Sequence, residues 1–365
     1  MPRLADTVAE RLFKFHLWPG VRRNSLCKLN FHEYNDLDWI MRIFIYCPAG
    51  YVSGGPEALH QLAHKAGEMG LDASIVYYPE GQAHPIPEPY VTYNVKVASR
   101  AIDAVDTVVV VPEVATGMLW RFRKASRVIW WLSIDNYYNR RKKRGLKKRL
   151  MDRLKGVWDF DFRRYPRLYH AAQSVYAQEF LQRKGVSDVF MLTDYLRKEY
   201  IDHALHALGN HRSNVIAYNP LKGFEFTRRL IETATCDARW TPIKGMTPSE
   251  VRELLSGARA YIDFGTHPGR DRLPREAAIS GCCVVTGRQG SAGNPMDVPV
   301  PEKYKFDEKD ASVFSKVDDM LADILDNYQD HVGEFEGYRK QIVDQEKVFE
   351  DEISAIFPGV KDDGQ

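Results

Sequence analysis

The feature that most constrains this chain is a repeated alternation. Short apolar β-rich runs lead into glycine-bearing turns, and these lead into segments with apolar residues at helical spacing. The first unit is the clearest. Ile43-Phe44-Ile45-Tyr46 is strand-like, and a turn follows with Ser53-Gly54-Gly55-Pro56. Ala58, Leu59, Leu62, Ala63 and Ala66 then recur on one helix face. Residues 73–78 read as the next strand, completing a βαβ unit. Strands follow at 107–111 and 128–132, with a helix expected between them at 114–124. Strands at 169–172 and 189–192 flank a helix around 175–183. A second series begins with a strand at 215–218. It continues through a helix at 226–233, a strand at 240–243, a helix at 248–255 capped by Thr247, a strand at 260–264, a helix at 273–280 and a strand at 282–286. Such alternation predicts mostly parallel sheets with helices on both faces. Two series in 365 residues predict an α/β chain of two Rossmann-like domains facing a cleft.

The expected organisation is an N-terminal arm at 1–40, a first domain at 41–210, a second at 211–330, and a C-terminal helix and tail at 331–365. The helices expected over 310–357 would pack back on the body. A net charge of +2 points to no partner through bulk charge. The five cysteines (Cys27, Cys47, Cys236, Cys282, Cys283) show no CxxC or Cys/His metal spacing and read as reduced thiols of a cytosolic protein. Charges at Arg3, Asp6, Glu10 and Arg11 precede any apolar block, so no signal peptide is expected. No apolar run approaches the ~18 residues of a membrane span, which leaves only peripheral contact with a bilayer.

In open α/β sheets ligands bind beyond the carboxyl ends of the strands, so the residues after each strand carry the functional information. These are Gly54, Gly55 and Glu57, then Glu113, Asp135, Asn219 to Gly223, Lys244-Gly245, and residues 265–272. Ser53-Gly54-Gly55 opens a helix, where backbone N–H groups and the helix dipole suit an anion; alone, it also reads as an ordinary βα turn. It is not GxGxxG, so no dinucleotide fingerprint is present. Lys222 with Gly223 can present a compact positive charge to a diphosphate. The densest segment is 264–278. His267, Arg270, Asp271, Arg272, Arg275 and Glu276 surround one strand-to-helix junction there. Arg270 or Arg272 suits phosphate oxygens, and Glu276 suits a ribose diol. Asp135 and His267 are the candidates for proton transfer. Asp159-Phe160-Asp161 has DxD spacing without a strand before it, so no metal and no other cofactor is implied.

Three of these segments carry a resemblance. Leu273-Pro274-Arg275-Glu276-Ala277-Ala278-Ile279-Ser280-Gly281-Cys282-Cys283-Val284-Val285 resembles the PxEAxAxGxPVV segment of the retaining GT-B glycosyltransferases. That group includes glycogen synthase and many bacterial mannosyl- and glucosyltransferases. Ser53-Gly54-Gly55-Pro56-Glu57 with Leu62-Ala63 resembles their GGxExxxxxLA segment, and Tyr218-Asn219-Pro220-Leu221-Lys222-Gly223 their strand-turn-KG segment. The matches fall in the family's order over most of 41–290. The resemblance implies a nucleotide-diphospho sugar as donor. It assigns the nucleotide ribose to Glu276 and the diphosphate to Lys222, supported by Asn219, Gly223, Gly245, Arg270 and Arg272. Gly54, Gly55 and Glu57 fall to the acceptor or sugar phosphate. One position departs: the family's first Glu of its Glu-x7-Glu pattern is Pro268 here. Donor identity and stereochemistry therefore do not carry over.

Residues 140–155 are basic, with Arg141, Lys142, Lys143, Arg144, Lys147 and Lys148 among ten cations. Leu146, Leu150, Leu154 and Trp158 recur at helical spacing. Two readings stand: a face that seeks an anionic membrane or acceptor, or a solvated helix whose apolar stripe packs on the sheet. No aromatics interleave the basics as stacking platforms, so nucleic acid is not an expected partner. The expectation is a cytoplasmic glycosyltransferase, hexosyltransferase-like, at the inner face of the membrane. It would act on a glycan or lipid-linked acceptor in surface polysaccharide synthesis. The alternatives are a nucleotide-sugar epimerase of the same fold and a non-catalytic scaffold subunit.

Overall fold

The computed structural model describes residues 41–357, apart from 144 and 155–159. The expected arm at 1–40, the end of the tail, Arg144, Asp159 and Trp158 therefore lie outside the described residues.

The first series forms β1 (Arg42–Pro48), α1 (Gly54–Glu68), β2 (Asp72–Tyr78), β3 (Lys96–Val97), β4 (Thr107–Pro112) and β5 (Ser126–Trp131). It continues with α2 (Ile134–Lys143), α3 (Leu146–Leu154), β6 (Leu168–Ala172), α4 (Val175–Arg183), β7 (Val189–Met191) and α5 (Lys198–His206). The strands make one seven-stranded sheet, ordered β3-β2-β1-β4-β5-β6-β7. Every pairing in it is parallel. β4 is buried along its whole length, as a strand covered on both faces must be. The helix expected at 114–124 is instead a 3₁₀ run, Glu113–Arg121. Val114, Thr116 and Gly117 are poor α-helix formers, and the segment takes the tighter turn.

The second series forms β8 (Ser213–Tyr218), α6 (Phe224–Thr233), β9 (Arg239–Pro242), α7 (Pro248–Gly257), β10 (Ala258–Asp263), α8 (Arg272–Ile279) and β11 (Cys283–Thr286). Its four parallel strands are ordered β11-β10-β8-β9. Thr247 caps α7 through a reciprocal capping box with Glu250. Four helices end the described chain: α9 (Val313–Asp326), α10 (Tyr328–Gly333), α11 (Glu336–Val343) and α12 (Gln345–Ile356). α9 to α11 complete the second core. α12 crosses back, and Phe349, Ile353, Ile356 and Phe357 join the core of the first sheet. The Phe349 ring stacks on Trp130, with centroids 6.4 Å apart.

In each sheet the strand order reverses once. The reversal lies between β1 and β4 in the first sheet and between β8 and β10 in the second. Crossovers leave in opposite directions at such points and open a crevice at the carboxyl ends. The turns there carry Gly54 and Glu113 on one side, and Lys222 and residues 265–271 on the other.

Polar bolts fix the two halves. Arg275 is fully buried, donating to Asp194 Oδ2 at 2.7 Å, to the Asp194 carbonyl at 3.2 Å and to Gln345 Oε1 at 3.0 Å. Asp297 accepts the first N–H groups of α4, Val175 at 2.7 Å and Tyr176 at 2.9 Å. Glu352 of α12 accepts the Thr193 N–H at 2.6 Å. Truncating Arg275 would strand a buried carboxylate, which typically costs about 3–5 kcal/mol. Arg275→Ala is expected to lower stability by about that much in urea unfolding. Pairing it with Asp194→Asn is expected to recover part of the loss.

Candidate functional site

The site begins with two glycines that let the second sheet's turns close up. Gly223 ends the turn after β8 at φ +54°, and a Cβ on it would lie 2.1 Å from the Phe264 carbonyl oxygen after β10. Only glycine permits this approach, so the Lys222 and Gly265 turns sit back to back. Gly269 plays the same part between the halves. A Cβ there would lie 2.2 Å from the Leu132 carbonyl oxygen at the end of β5. The glycine-rich start of α1 completes the contact. Cβ atoms built on Gly54 and Gly55 would lie 3.8 Å from Arg272 Cδ and 3.7 Å from Leu132 Cδ1.

The charges meeting here are paired across the crevice. Arg272, at the start of α8, forms an ion pair with Glu57 of α1 and another with Glu276 one turn on, at 3.5 Å. Glu57 also accepts from Arg197 Nε at 3.0 Å and from the Tyr93 hydroxyl at 2.9 Å. Burial alone would push Glu57 up, but Arg272 and Arg197 hold its carboxyl down at about 2. Burial raises Glu276 above the ordinary carboxylate range, against the pull of Arg272 and Arg275. The structure thus brings Gly54, Gly55, Glu57, Arg272 and Glu276 to one place.

Lys222 pairs with Asp271 Oδ2, and the same oxygen lies 2.9 Å from His267 Nδ1. His267 Nε2 lies 3.8 Å from Asp263 Oδ1, and Asp263 accepts the Tyr261 hydroxyl at 2.7 Å. Burial opposes a charge on His267, but Asp271 and Asp263 on either side raise its pKa nonetheless. Asp263, His267 and Asp271 have the spacing to hold a divalent ion, the one such group found among the described residues. With His267 protonated, the two carboxylates are balanced by two cations, His267 and Lys222, and the cluster is electrically complete. His267, expected as a candidate for proton transfer, is fully buried and faces Asp271 and Asp263. Its imidazole holds Asp271 in place.

Other expected residues are placed differently. Asn219 is buried, with its carbonyl oxygen closing a turn onto the Leu221 N–H at 3.0 Å. Gly245 takes a left-handed conformation at φ +67°. Arg270 feels Arg275, Asp194, Tyr338 and Asp297, and its Nε is buried without a hydrogen-bond partner. Asp135 stands in the first turn of α2, with Oδ2 buried and without a hydrogen-bond partner.

The basic segment splits into α2 and α3. Arg141 donates to the Tyr137 hydroxyl at 2.9 Å, while Lys142, Lys147 and Lys148 are exposed. Lys143 lies in α2. On α3, Leu150 is 60% exposed, Met151 50% and Leu154 75%. The reading in which this stripe packs on the sheet fails for these residues.

One residue was noted for its position after a strand but given no role. Glu113 follows β4 at the reversal point of the first sheet and is 4% exposed. Its Oε2 accepts the Leu132 N–H at 3.0 Å. Burial raises its carboxyl to about 7. Its position directly after an all-apolar strand was the available signal.

No family model matches the chain, and no curated protein matches it by sequence. Solved structures do. A glycosyltransferase from Rickettsia africae ESF-5 superposes at a TM-score of 0.58 with 11% identity, over 91% of this chain and all of that one. A sucrose-phosphate synthase from Thermosynechococcus elongatus gives 0.56 and 10%, over 86% and 97%. WaaG, a glycosyltransferase involved in lipopolysaccharide biosynthesis, gives 0.55 and 11%, over 87% and 100%. Against the longer TarM of S. aureus the chain spans 55% of that structure's length. These neighbours are GT-B glycosyltransferases, and the GT-B arrangement of two parallel-sheet domains is the fold of this chain.

The raised Glu113 carboxyl has a consequence for stability. Its folded pKa lies above the unfolded value, so its contribution is complete below the ordinary carboxylate range and is lost as pH rises through about 7. Glu113→Gln removes that loss. The variant is expected to gain about 3 kcal/mol on the wild type between pH 4 and pH 8.5, read by urea unfolding at both. A gap that does not change with pH would show the carboxyl to be unshifted.

Proposed function

We propose that this protein transfers a sugar from a nucleotide-diphospho sugar to a hydroxyl of a glycan or lipid-linked acceptor. One observation carries the reading. At the reversal point of the second sheet, Arg272 meets Glu57 and the glycine-opened start of α1 across the crevice, with Glu276 paired to Arg272 and Lys222 in the neighbouring turn after β8. Lys222 and Arg272 supply positive charge to a leaving diphosphate, aided by the N–H groups at the start of α1. Glu276 accepts from the ribose hydroxyls. Carboxylates now hold both cations, Asp271 on Lys222 and Glu57 on Arg272, so an incoming diphosphate exchanges one anionic partner for another. The glycosyltransferases of the same fold support transfer chemistry, and WaaG's role in lipopolysaccharide biosynthesis supports a surface polysaccharide.

A second element of the proposal concerns place. α3 sets exposed Leu150, Met151 and Leu154 beside exposed Lys147, Lys148 and Arg153. An apolar strip rimmed by cations complements an anionic bilayer surface, each cation contributing ~1 kcal/mol there. Among the described residues no helix is long and apolar enough to cross a membrane. The acceptor would then be met at the inner face of the membrane. Pro268, in place of the first Glu of the resembled motif, motivates the alternative of a non-catalytic scaffold, and the donor test below separates the two, since a scaffold of that kind binds no nucleotide.

Thermal shift against UDP, GDP, CMP, ADP, dTDP and their sugars tests the donor site. One nucleotide is expected to raise Tm. Lys222→Ala is expected to weaken it by about 10-fold or more, the worth of a charge-assisted hydrogen bond, and Glu276→Ala to weaken it comparably. No shift with any nucleotide would overturn the transferase reading. For the surface, sedimentation with phosphatidylserine vesicles is expected to capture the protein at low salt and release it at high salt. Leu150→Ser/Met151→Ser/Leu154→Ser is expected to abolish capture, and capture that persists unchanged would remove α3 from the contact.

A further inference from the structure

We propose that Asp263, His267 and Asp271 hold a divalent cation of the Mn²⁺ type beside Lys222. The site stands on its own geometry; its link to the donor rests on the transferase reading above and deepens it. The three residues mark the end of β10, the turn that follows and the N-cap of α8. One ligand atom from each lies within 4.8 Å of the other two. Two metal–ligand bonds of about 2.0–2.4 Å, set opposite each other, span up to about that distance.

The side chains are oriented as ligands. Asp263 is held through one oxygen only. Its Oδ2 accepts the Tyr261 hydroxyl at 2.7 Å and the Asn219 side-chain amide at 3.5 Å. Its Oδ1 is buried, has no hydrogen-bond partner and lies 3.8 Å from His267 Nε2. A carboxylate oxygen left so is costly unless a cation or a donor meets it. In the neutral imidazole, Nε2 faces the Asp263 carbonyl at 3.3 Å. A carbonyl only accepts, so the hydrogen sits on Nε2 and the Nδ1 lone pair is free. Metal-bound imidazoles commonly donate their other N–H to a backbone carbonyl in this way. Nδ1 lies 2.9 Å from Asp271 Oδ2, yet it makes no hydrogen bond in that contact. Two ligands at right angles, each about 2.1 Å from one ion, are about 3.0 Å apart, and neither points at the other. The loop is also pinned. The His267 N–H donates to the Gln289 carbonyl at 3.3 Å, the Ser291 N–H donates to the His267 carbonyl at 2.9 Å, and a side chain on Gly290 would strike that carbonyl.

The cluster opens at Asp271. The Lys222 and Asp271 side chains keep 27% and 20% exposure, whereas those of Asp263 and His267 are sealed behind them. Arg272, the next residue, meets Glu57 across the crevice. Two carboxylate oxygens and one imidazole nitrogen suit Mn²⁺ better than a cation that favours thiolate, and they leave positions for water or phosphate oxygens. An ion on Asp271 Oδ2 takes the place of Lys222 at that oxygen. Lys222 is then free for the diphosphate that the transferase reading gives it. With the imidazole neutral, two carboxylates, Lys222 and the ion sum to one positive charge. The diphosphate offsets that charge, so cation and nucleotide each tighten the other.

The test titrates the full chain, stripped with EDTA, with MnCl2 at pH 8 and reads free Mn²⁺ by electron paramagnetic resonance. One ion per chain is expected to bind below about 1 mM, the range of open carboxylate sites. Asp263→Asn and His267→Gln are each expected to weaken uptake by about 10-fold or more, with circular dichroism checking that they fold. Iron-catalysed cleavage places the site without a variant. Fe²⁺ with ascorbate and peroxide is expected to cut the chain at 263–271, and Mn²⁺ to protect it. UDP, GDP and ADP are then added in turn, and the one that binds is expected to tighten Mn²⁺ by about 5-fold or more. No stoichiometric uptake by the wild type, cleavage elsewhere in the chain, or uptake unchanged in both folded variants would overturn the site. Uptake without nucleotide coupling would overturn its link to the donor. No thermal shift with any nucleotide, in EDTA or in Mn²⁺, would overturn the transferase reading instead, and the site would still be decided by uptake and cleavage. Because those two readouts use the wild type, a variant that fails to fold does not protect the proposal.

Discussion

The site depends on one buried cation. Arg275 sits on α8 between Arg272 and Glu276 and is sealed from solvent by Asp194, the Asp194 carbonyl and Gln345. Those partners come from the segment after β7 in the first half and from the helix that crosses back to it. A guanidinium suits the junction because its planar fork satisfies several acceptors in fixed directions at once. It fixes the axial position and rotation of α8, and so the direction in which Arg272 and Glu276 project. Such a pair contributes little net stability against an apolar alternative, but it is costly to break. Its effect here is positional: it ties the orientation of one half's ligand-facing helix to the other half's backbone.

Around that junction the electrostatics follow one pattern. Cations suited to a diphosphate are held by carboxylates that a diphosphate can replace, Lys222 by Asp271 and Arg272 by Glu57. Behind Asp271, His267 and Asp263 extend the alternation of sign into the core. Asp271 can therefore release Lys222 and still keep His267 as a partner. Glu57 likewise keeps Arg197 if Arg272 turns away. Glu57 and Asp271 thus each keep a second partner, which lowers the cost of exchanging partners there.

Much of this could be read from residue order. The alternation of strand and helix, the parallel sheets, the Thr247 cap and the return of the last helices all follow from local pattern. The turns after β1, β8 and β10 were identifiable because glycines and charges cluster in them. The 3₁₀ run after β4 was not, since Val114, Thr116 and Gly117 shift a helix-length segment to a tighter form by small local energies. His267 and Arg270 looked like free polar groups in a charged loop. For Arg270 the surroundings come from distant segments, Asp194, Asp297 and Tyr338; for His267 they are local, Asp263 and Asp271 four residues to either side, and what the sequence could not show is their burial together. The α3 stripe showed the opposite ambiguity, because spacing alone cannot say whether an apolar face has a partner.

The sequence by itself determined the architecture and the ends of the strands at which chemistry can occur, because helix and strand periodicity are local and parallel sheets expose function only at their carboxyl edge. Only the tertiary structure decided which charges meet. Burial and pairing are properties of contacts between distant residues, and they set what each group can do. They gave Arg272 a carboxylate from the other half, sealed His267 from solvent beside its neighbouring acids, and left Glu113 buried among backbone N–H groups near its point of titration.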